Sequence, residues 1–329
     1  MKLENIPTLI SIQNFTTENG AVYHSLPLSF TISGLPLYSA PIVLVNHALT
    51  GNAEVTGENG WWNDLIGEGK TIDTNVYTVL AFNVPGNGND SFLIENYQDF
   101  TARDIARIFI KGLDFLKIEQ LHTIIGGSVG GGIAWEILAL EPAITQNLIP
   151  IATDWKSTDW MIANCYLQEQ ILNNSSKPIE DARIHAMLCY RSPESFKEKF
   201  QRTINSDLSI FNIESWLAHH GERLQKRYQL SSYKLMNQLL KTIDITRNSA
   251  DFETLLSKTT AAIHIIGINS DLFFTAKENK ETYQELIKFK DNVFYSEIDS
   301  VHGHDAFLIE YKQLDYLLAD IFKAETIKK

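Results

Sequence analysis

Short, dense apolar runs separated by polar turns make up the chain as far as residue 153 and again from residue 257 onward; the stretch between follows a different rule. Residues 8–15 and 23–33 alternate apolar and polar positions, the period of half-buried strands, and Asn19-Gly20 between them predicts an antiparallel start. Residues 41–45 and 76–83 are almost continuously apolar, as strands covered on both faces are. Residues 121–127, 262–268 and 292–298 read as three more strands. Residues 99–116 place Ile105, Ile108, Phe109, Leu113 and Leu116 at helical spacing, which predicts an amphipathic helix packed on the sheet, and residues 133–140 have helical character. From about residue 154 to 256 the strand pattern stops and the chain becomes helical and polar, with Ser192 as a helix cap and Pro193 in the first helical position. The pattern predicts an α/β fold: a core of residues 1–153 and 257–329, a mostly parallel sheet with helices on both faces, and a helical lid inserted at residues 154–256.

Composition narrows the function. The 329 residues suffice for one large α/β domain with an insertion, and 44% hydrophobic content supports a sizeable core. A net charge of −12 argues against nucleic acid, whose binding rests on Lys and Arg contacts to phosphate, and gives no support for an anionic membrane. A local basic patch for a phosphate-bearing ligand remains compatible with it. Cys165 and Cys189 are too few for a disulfide scaffold, which suggests a reducing cytoplasm. The first seven residues lack an apolar core for a secretory leader, and no run has the length of a membrane span. The expectation is a soluble cytoplasmic protein.

The chemistry is concentrated at three strand ends. Gly126-Gly127-Ser128-Val129-Gly130 lies between an apolar strand and a helix, the context of a nucleophile elbow. Small neighbours spare the sharply turned serine from collision, and the helix N-terminus aims N–H groups at an oxyanion. The plainer alternative is a tight turn whose serine only caps the helix. Downstream, Asn269-Ser270-Asp271 follows the strand at 262–268, and Val301-His302-Gly303-His304-Asp305 follows the strand at 292–298. Serine, acid and base therefore occur in the order that α/β-hydrolases use. Either His302 or His304 can serve as the base on this pattern alone. A metal reading of His-Gly-His-Asp is disfavoured, because no second ligand cluster with metal spacing accompanies it. His219-His220 sits in a polar helical stretch and reads as solvated surface. His122 and His264 alternate with apolar strand residues and read as satisfied structural histidines.

These residues resemble the homoserine O-acetyltransferase family of α/β-hydrolase-fold acyltransferases. The similarity lies in "NHALTGNAEV", "GWWNDLIGEGKTIDTNVYTVLAFNVPG", "NSDLFF" and "GHDAFLIE", and covers most of residues 40–150 and 260–325. It implies a catalytic Ser128, Asp271 and His304, the base being His304 rather than His302. It implies oxyanion donors in the backbone N–H groups of Leu49 and Val129. It also implies that Arg183, in a helical "AR…YRS" segment, holds the acceptor's carboxylate, while Tyr190 and Asp305 contact its amino group. The implied reaction moves an acetyl group from acetyl-CoA to the hydroxyl of L-homoserine, in methionine biosynthesis, through an acyl-serine and with no bound cofactor or metal. The implied assembly is a homodimer through the lid. Trp155, Trp160, Tyr166 and Phe200 there either face a partner or pack beneath it.

The chain also departs from the family. Pro85-Gly86-Asn87-Gly88-Asn89-Asp90-Ser91 stands where a Gly-Ser-Thr-Gly-Pro run is usual, and residues 151–181 are compressed. A short, divergent member is implied. An esterase or thioesterase of the same fold would share the triad, and L-serine as acceptor or succinyl-CoA as donor differ only in pocket shape.

Overall fold

Eight strands form one sheet, and five of them are buried along most of their length and covered on both sides. In the computed structural model, which describes residues 8–247 and 251–323, these are β1 (Thr8–Thr16), β2 (Val22–Gly34), β3 (Ile42–Asn46), β4 (Thr78–Phe82), β5 (Leu121–Gly127), β6 (Thr145–Ile151), β7 (Ala262–Ile268) and β8 (Val293–Ile298). Their spatial order is β1-β2-β4-β3-β5-β6-β7-β8. β1, β2 and β4 pair antiparallel and the rest pair parallel. The leader reading of residues 1–7 lies outside the described residues.

Successive residues of the central strands feed two opposite cores. Leu44, Leu80 and Ile124 pack on one face with Ile105, Phe109 and Ile133. Val43, Val45, Val79 and Ile125 pack on the other with Trp62, Tyr77 and Leu314. The helices responsible are α1 (Ala102–Phe115) and α2 (Val129–Leu140) on the first face. On the second lies the last described helix, at Tyr311–Leu318. A capping box starts α1, with Thr101 Oγ1 accepting from Asp104 N and Asp104 Oδ2 accepting from Thr101 N at 3.0 Å.

Among the described residues between β6 and β7, no strand joins the large sheet. The chain instead forms α3 (Asp159–Asn174), α4 (Pro178–Tyr190), α5 (Pro193–Phe200), α6 (Asn212–Gln225) and α7 (Leu230–Lys241), followed by the short α8 (Phe252–Leu256). Ser192 caps α5 by accepting from Ser195 N at 3.1 Å, with Pro193 in the first turn. The absence of strands here is not complete: residues 204–205 and 210–211 form a small hairpin, too short for periodicity to reveal.

The insertion leaves and re-enters the core at one place. Lys156 and Asp244 form an antiparallel bridge, Ser157 N donates to Ile243 O at 2.9 Å, and Ile245 N donates to Trp155 O at 3.2 Å. Buried Arg103 of α1 fixes this neck. Its Nε pairs with Glu136 Oε2 at 3.0 Å, and its Nη2 donates to the carbonyls of Asp244 and Ile245 at 3.0 and 2.7 Å. Among the described residues no helix is long and apolar enough to cross a membrane.

Candidate active site

The turn from β5 into α2 holds Ser128 at φ 56°, ψ −131°, a conformation that costs a non-glycine residue on the order of 1–3 kcal/mol. Its neighbours make the turn sterically feasible. A Cβ on Gly126 would lie 2.5 Å from the Gly130 carbonyl carbon, and one on Gly130 would lie 2.4 Å from Asn46 O. Only glycine lets the helix start this close to β5 and β3.

Three residues from distant parts of the chain meet here. Asp271 follows β7, and its Oδ1 accepts from the amides of Phe273 and Phe274 at 2.7 and 3.0 Å. The other oxygen, Oδ2, lies 2.7 Å from His304 Nδ1, and His304 Nε2 lies 3.0 Å from Ser128 Oγ. With Nδ1–H donated to the carboxylate, Nε2 presents a lone pair to the hydroxyl, the arrangement in which a histidine can take a serine's proton. All three are at least 95% buried, and the rings of Tyr190, Phe273, Phe274 and Phe307 stand 5.2–5.9 Å from the imidazole. His302 lies elsewhere: its Nδ1 is 3.4 Å from both Arg191 Nη1 and Ser195 Oγ.

Leu49 follows β3 and Val129 opens α2. Among the described residues neither N–H has a hydrogen-bond acceptor, so both are free for an oxyanion. The loop carrying Leu49 is braced from three sides. Tyr228 Oη donates to Leu49 O at 2.8 Å, and Arg227 Nη1 donates to Thr50 O at 3.1 Å. His47 is clamped by its two nitrogens: Nδ1–H donates to Ala48 O at 2.8 Å, and Nε2 accepts from Val84 N at 3.0 Å. Burial pushes the His47 pKa down to about 4, so the ring is neutral and can accept. Asn87, in the segment that departs from the family, stands 3.3 Å from His47 Nε2 and donates to Asn83 Oδ1 at 3.2 Å. His47 lies in the quoted "NHALTG" segment, but spacing alone gave it no role.

α4 carries Arg183 and Tyr190 seven residues apart, and the Arg183 guanidinium lies 5.6 Å from the centre of the Tyr190 ring. Arg183 is half-buried and, among the described residues, has no hydrogen-bond or carboxylate partner. Asp305 is not free: its Oδ2 pairs with Arg191 Nε at 3.0 Å, which leaves Oδ1 for any further contact. Burial pushes the Tyr190 hydroxyl well above its usual range, so it stays protonated. A cavity of about 10 Å³ beside Leu49, Cys189, Tyr190 and Phe273 has room for about one water. Cys189 is no competing nucleophile, since burial and then Asp271 push its thiol up to about 11.

Several side expectations change. His220 is not solvated surface: it is half-buried in a cleft with Arg183, and burial and that cation push it down to about 4. His264 stacks on Phe294 at 4.8 Å, but its buried Nε2 has no partner. Trp155 packs on Phe252 and Phe200 is buried, whereas Trp160 and Tyr166 are exposed. Among the described residues no three His, Cys, Asp or Glu side chains group as metal ligands would.

A strained serine on a strand–helix turn, within reach of a carboxylate-bound histidine, on this sheet order, is the arrangement of an α/β-hydrolase-fold enzyme. The family model described as "alpha/beta hydrolase fold" matches residues 41–308. The chain is 32% identical to a homoserine O-acetyltransferase of Cyclobacterium marinum over 93% of its length and 92% of that protein. It therefore belongs to the homoserine O-acetyltransferase family. A solved homoserine O-acetyltransferase from Staphylococcus aureus is 25% identical, with a TM-score of 0.83 over 99% of this chain and 98% of that one. The solved esterase E22 superposes with a TM-score of 0.86 over 97% and 100% of the two chains at 16% identity, which speaks for the fold alone.

Proposed function

We propose that the protein transfers an acetyl group from acetyl-CoA to the side-chain hydroxyl of L-homoserine, in methionine biosynthesis, by a ping-pong cycle through acyl-Ser128. Ser128 Oγ attacks the thioester carbonyl while His304 Nε2 takes its proton; Asp271 holds the imidazole tautomer and steadies the imidazolium. The N–H groups of Leu49 and Val129 receive the oxyanion. CoA leaves with the proton from His304. The acceptor hydroxyl then gives its proton to His304 and attacks the acyl carbonyl; as the Oγ–acyl bond breaks, His304 returns the proton to Ser128 Oγ.

The observation that carries the transferase reading is Arg183. A half-buried guanidinium without a partner, lying against the tyrosine that flanks His304, suits the carboxylate of a small amino acid. Tyr190 and the free Oδ1 of Asp305 suit its ammonium. Water needs none of these. The helices of residues 154–256 act as a lid that limits water to the narrow space beside Leu49, favouring the alcohol. The reading places the enzyme in the cytoplasm as a homodimer joined through the lid, where Tyr166 and Leu167 are exposed. A single-chain mass in light scattering at micromolar concentration overturns the dimer.

The deciding experiment incubates the protein with acetyl-CoA, with and without homoserine, and follows free thiol and O-acetylhomoserine. Homoserine should accelerate CoA release many-fold. CoA release from acetyl-CoA and from succinyl-CoA that neither homoserine nor serine accelerates makes the protein a hydrolase.

A further inference from the structure

A cleft of about 480 Å³ opens beside the oxyanion loop, and its lining includes Ala48 and Thr50 on either side of Leu49. Three arginines converge on it, Arg183, Arg223 and Arg227, together with His220. Among the described residues none of the three arginines has a carboxylate partner, and no Asp or Glu lines the cleft. Asp305, the carboxylate whose charge reaches His220, is engaged by Arg191. In a chain of net charge −12, this is a local reversal of sign. Partial burial lowers the Arg227 pKa, and Arg183 and Arg223 add to the effect, as cations crowded without a counter-ion do. His220 and Arg223 lie in the last turns of α6, and Arg227 in the turn just beyond its end.

Two aromatic side chains share the cleft. Trp61 is half-buried and fixed, with its Nε1 donating to Asn52 O at 2.9 Å and its ring stacked on Trp62 at 4.7 Å. Tyr311 stands on the same wall. Cations with nearby rings are what a nucleotide needs, phosphates on the first and base on the second. Arg183 sits deep against Tyr190, while Arg223 and Arg227 are exposed at the rim. That gradient matches a donor whose thioester end goes in and whose charged end stays out.

We propose that this cleft seats the nucleotide end of the acyl donor, with Arg223 and Arg227 on its phosphates and Trp61 and Tyr311 flanking its purine; the proposal rests on acetyl-CoA being the donor. The site raises the local concentration of a polyanion that the protein's overall charge repels. It leaves Arg183 to the acceptor.

The test compares acylation of the enzyme by acetyl-CoA and by S-acetylpantetheine, which lacks the nucleotide. Arg223 is the residue to change, because Arg227 also holds Thr50. Arg223→Gln should reduce the wild-type preference for acetyl-CoA over S-acetylpantetheine about tenfold or more, through KM, and Arg223→Lys should recover much of it. Trp61→Leu should weaken competition by adenosine 3′,5′-bisphosphate more than competition by inorganic pyrophosphate. A wild-type preference retained in Arg223→Gln overturns the phosphate assignment. Equal competition by pyrophosphate and the bisphosphate in the wild type overturns the purine assignment. If the wild type is acylated by p-nitrophenyl acetate but by neither thioester, the donor reading itself has failed, and this inference falls with it.

Discussion

The hydroxyl of Tyr228, in the helical insertion, donates to the carbonyl of Leu49 across 2.8 Å, so the insertion anchors a residue whose own backbone N–H has no acceptor among the described residues. Tyr228→Phe keeps the ring and leaves that buried carbonyl unpaired. The acylation rate should fall about tenfold while the melting temperature changes by only a few degrees. Rapid-quench measurement of the acyl-enzyme burst distinguishes this from a loss of donor affinity.

Ser128 carries the strain of its turn as well as its hydroxyl. Ser128→Ala should give no covalent acetyl adduct in mass spectrometry of the enzyme mixed with acetyl-CoA. Ser128→Gly should be equally inactive yet more stable, by about 1 kcal/mol, because glycine adopts φ 56° without cost. A destabilised glycine variant contradicts the strain argument.

His304→Ala should lower turnover by several orders of magnitude, and His302→Ala by far less, since only His304 touches both Ser128 and Asp271. Comparable losses in the two variants reassign the base.

Arg183→Lys keeps a cation but loses the two-pronged pairing with a carboxylate. KM for homoserine should rise at least tenfold. CoA release in the absence of acceptor, which homoserine does not enter, should keep close to its wild-type rate. A parallel fall in both half-reactions places Arg183 elsewhere than on the acceptor.

His264 is held neutral, its pKa pushed down to about 4 by burial, while in the unfolded chain it titrates near its ordinary value of about 6.5. Below pH 6.5 the unfolded state therefore binds the extra proton, and the stability that the neutral ring provides is lost as pH falls towards 4. His264→Phe keeps the stacking on Phe294 and removes the titration. Its stability relative to wild type should improve by about 1 kcal/mol between pH 8 and pH 5 in denaturant melts, about half of what the unscreened shift would give, because solvent reaches this half-buried ring. An unchanged difference across that range refutes the linkage.

Much of this organisation was legible in the chain because strand ends carry their own signals. The serine elbow, the acid after β7 and the histidine after β8 announce themselves by glycines, apolar runs and order, and in the fold they meet. The hairpin across Asn19-Gly20 and the capped helix after Ser192 are local as well. β6 was not recognised: Pro150 lies inside it, opposite Gly126, and a proline without an N–H argues against a central strand. Long-range pairings left no trace. Nothing in the spacing of Arg191 and Asp305, or of Tyr228 and Leu49, predicts their contact, because each pair is brought together by the packing of the insertion. His220 misled for the same reason: a polar helix looks solvated until a second element forms a cleft against it.

The neck at Lys156 and Asp244 makes the insertion topologically a cassette. Its two ends are hydrogen-bonded neighbours, so a short turn joining them would excise α3 to α7 while β6 still leads on to β7 through α8. Tyr228 and Arg227 of that cassette hold Leu49 O and Thr50 O, so a different cover grafted at the same junction would have to brace that loop anew.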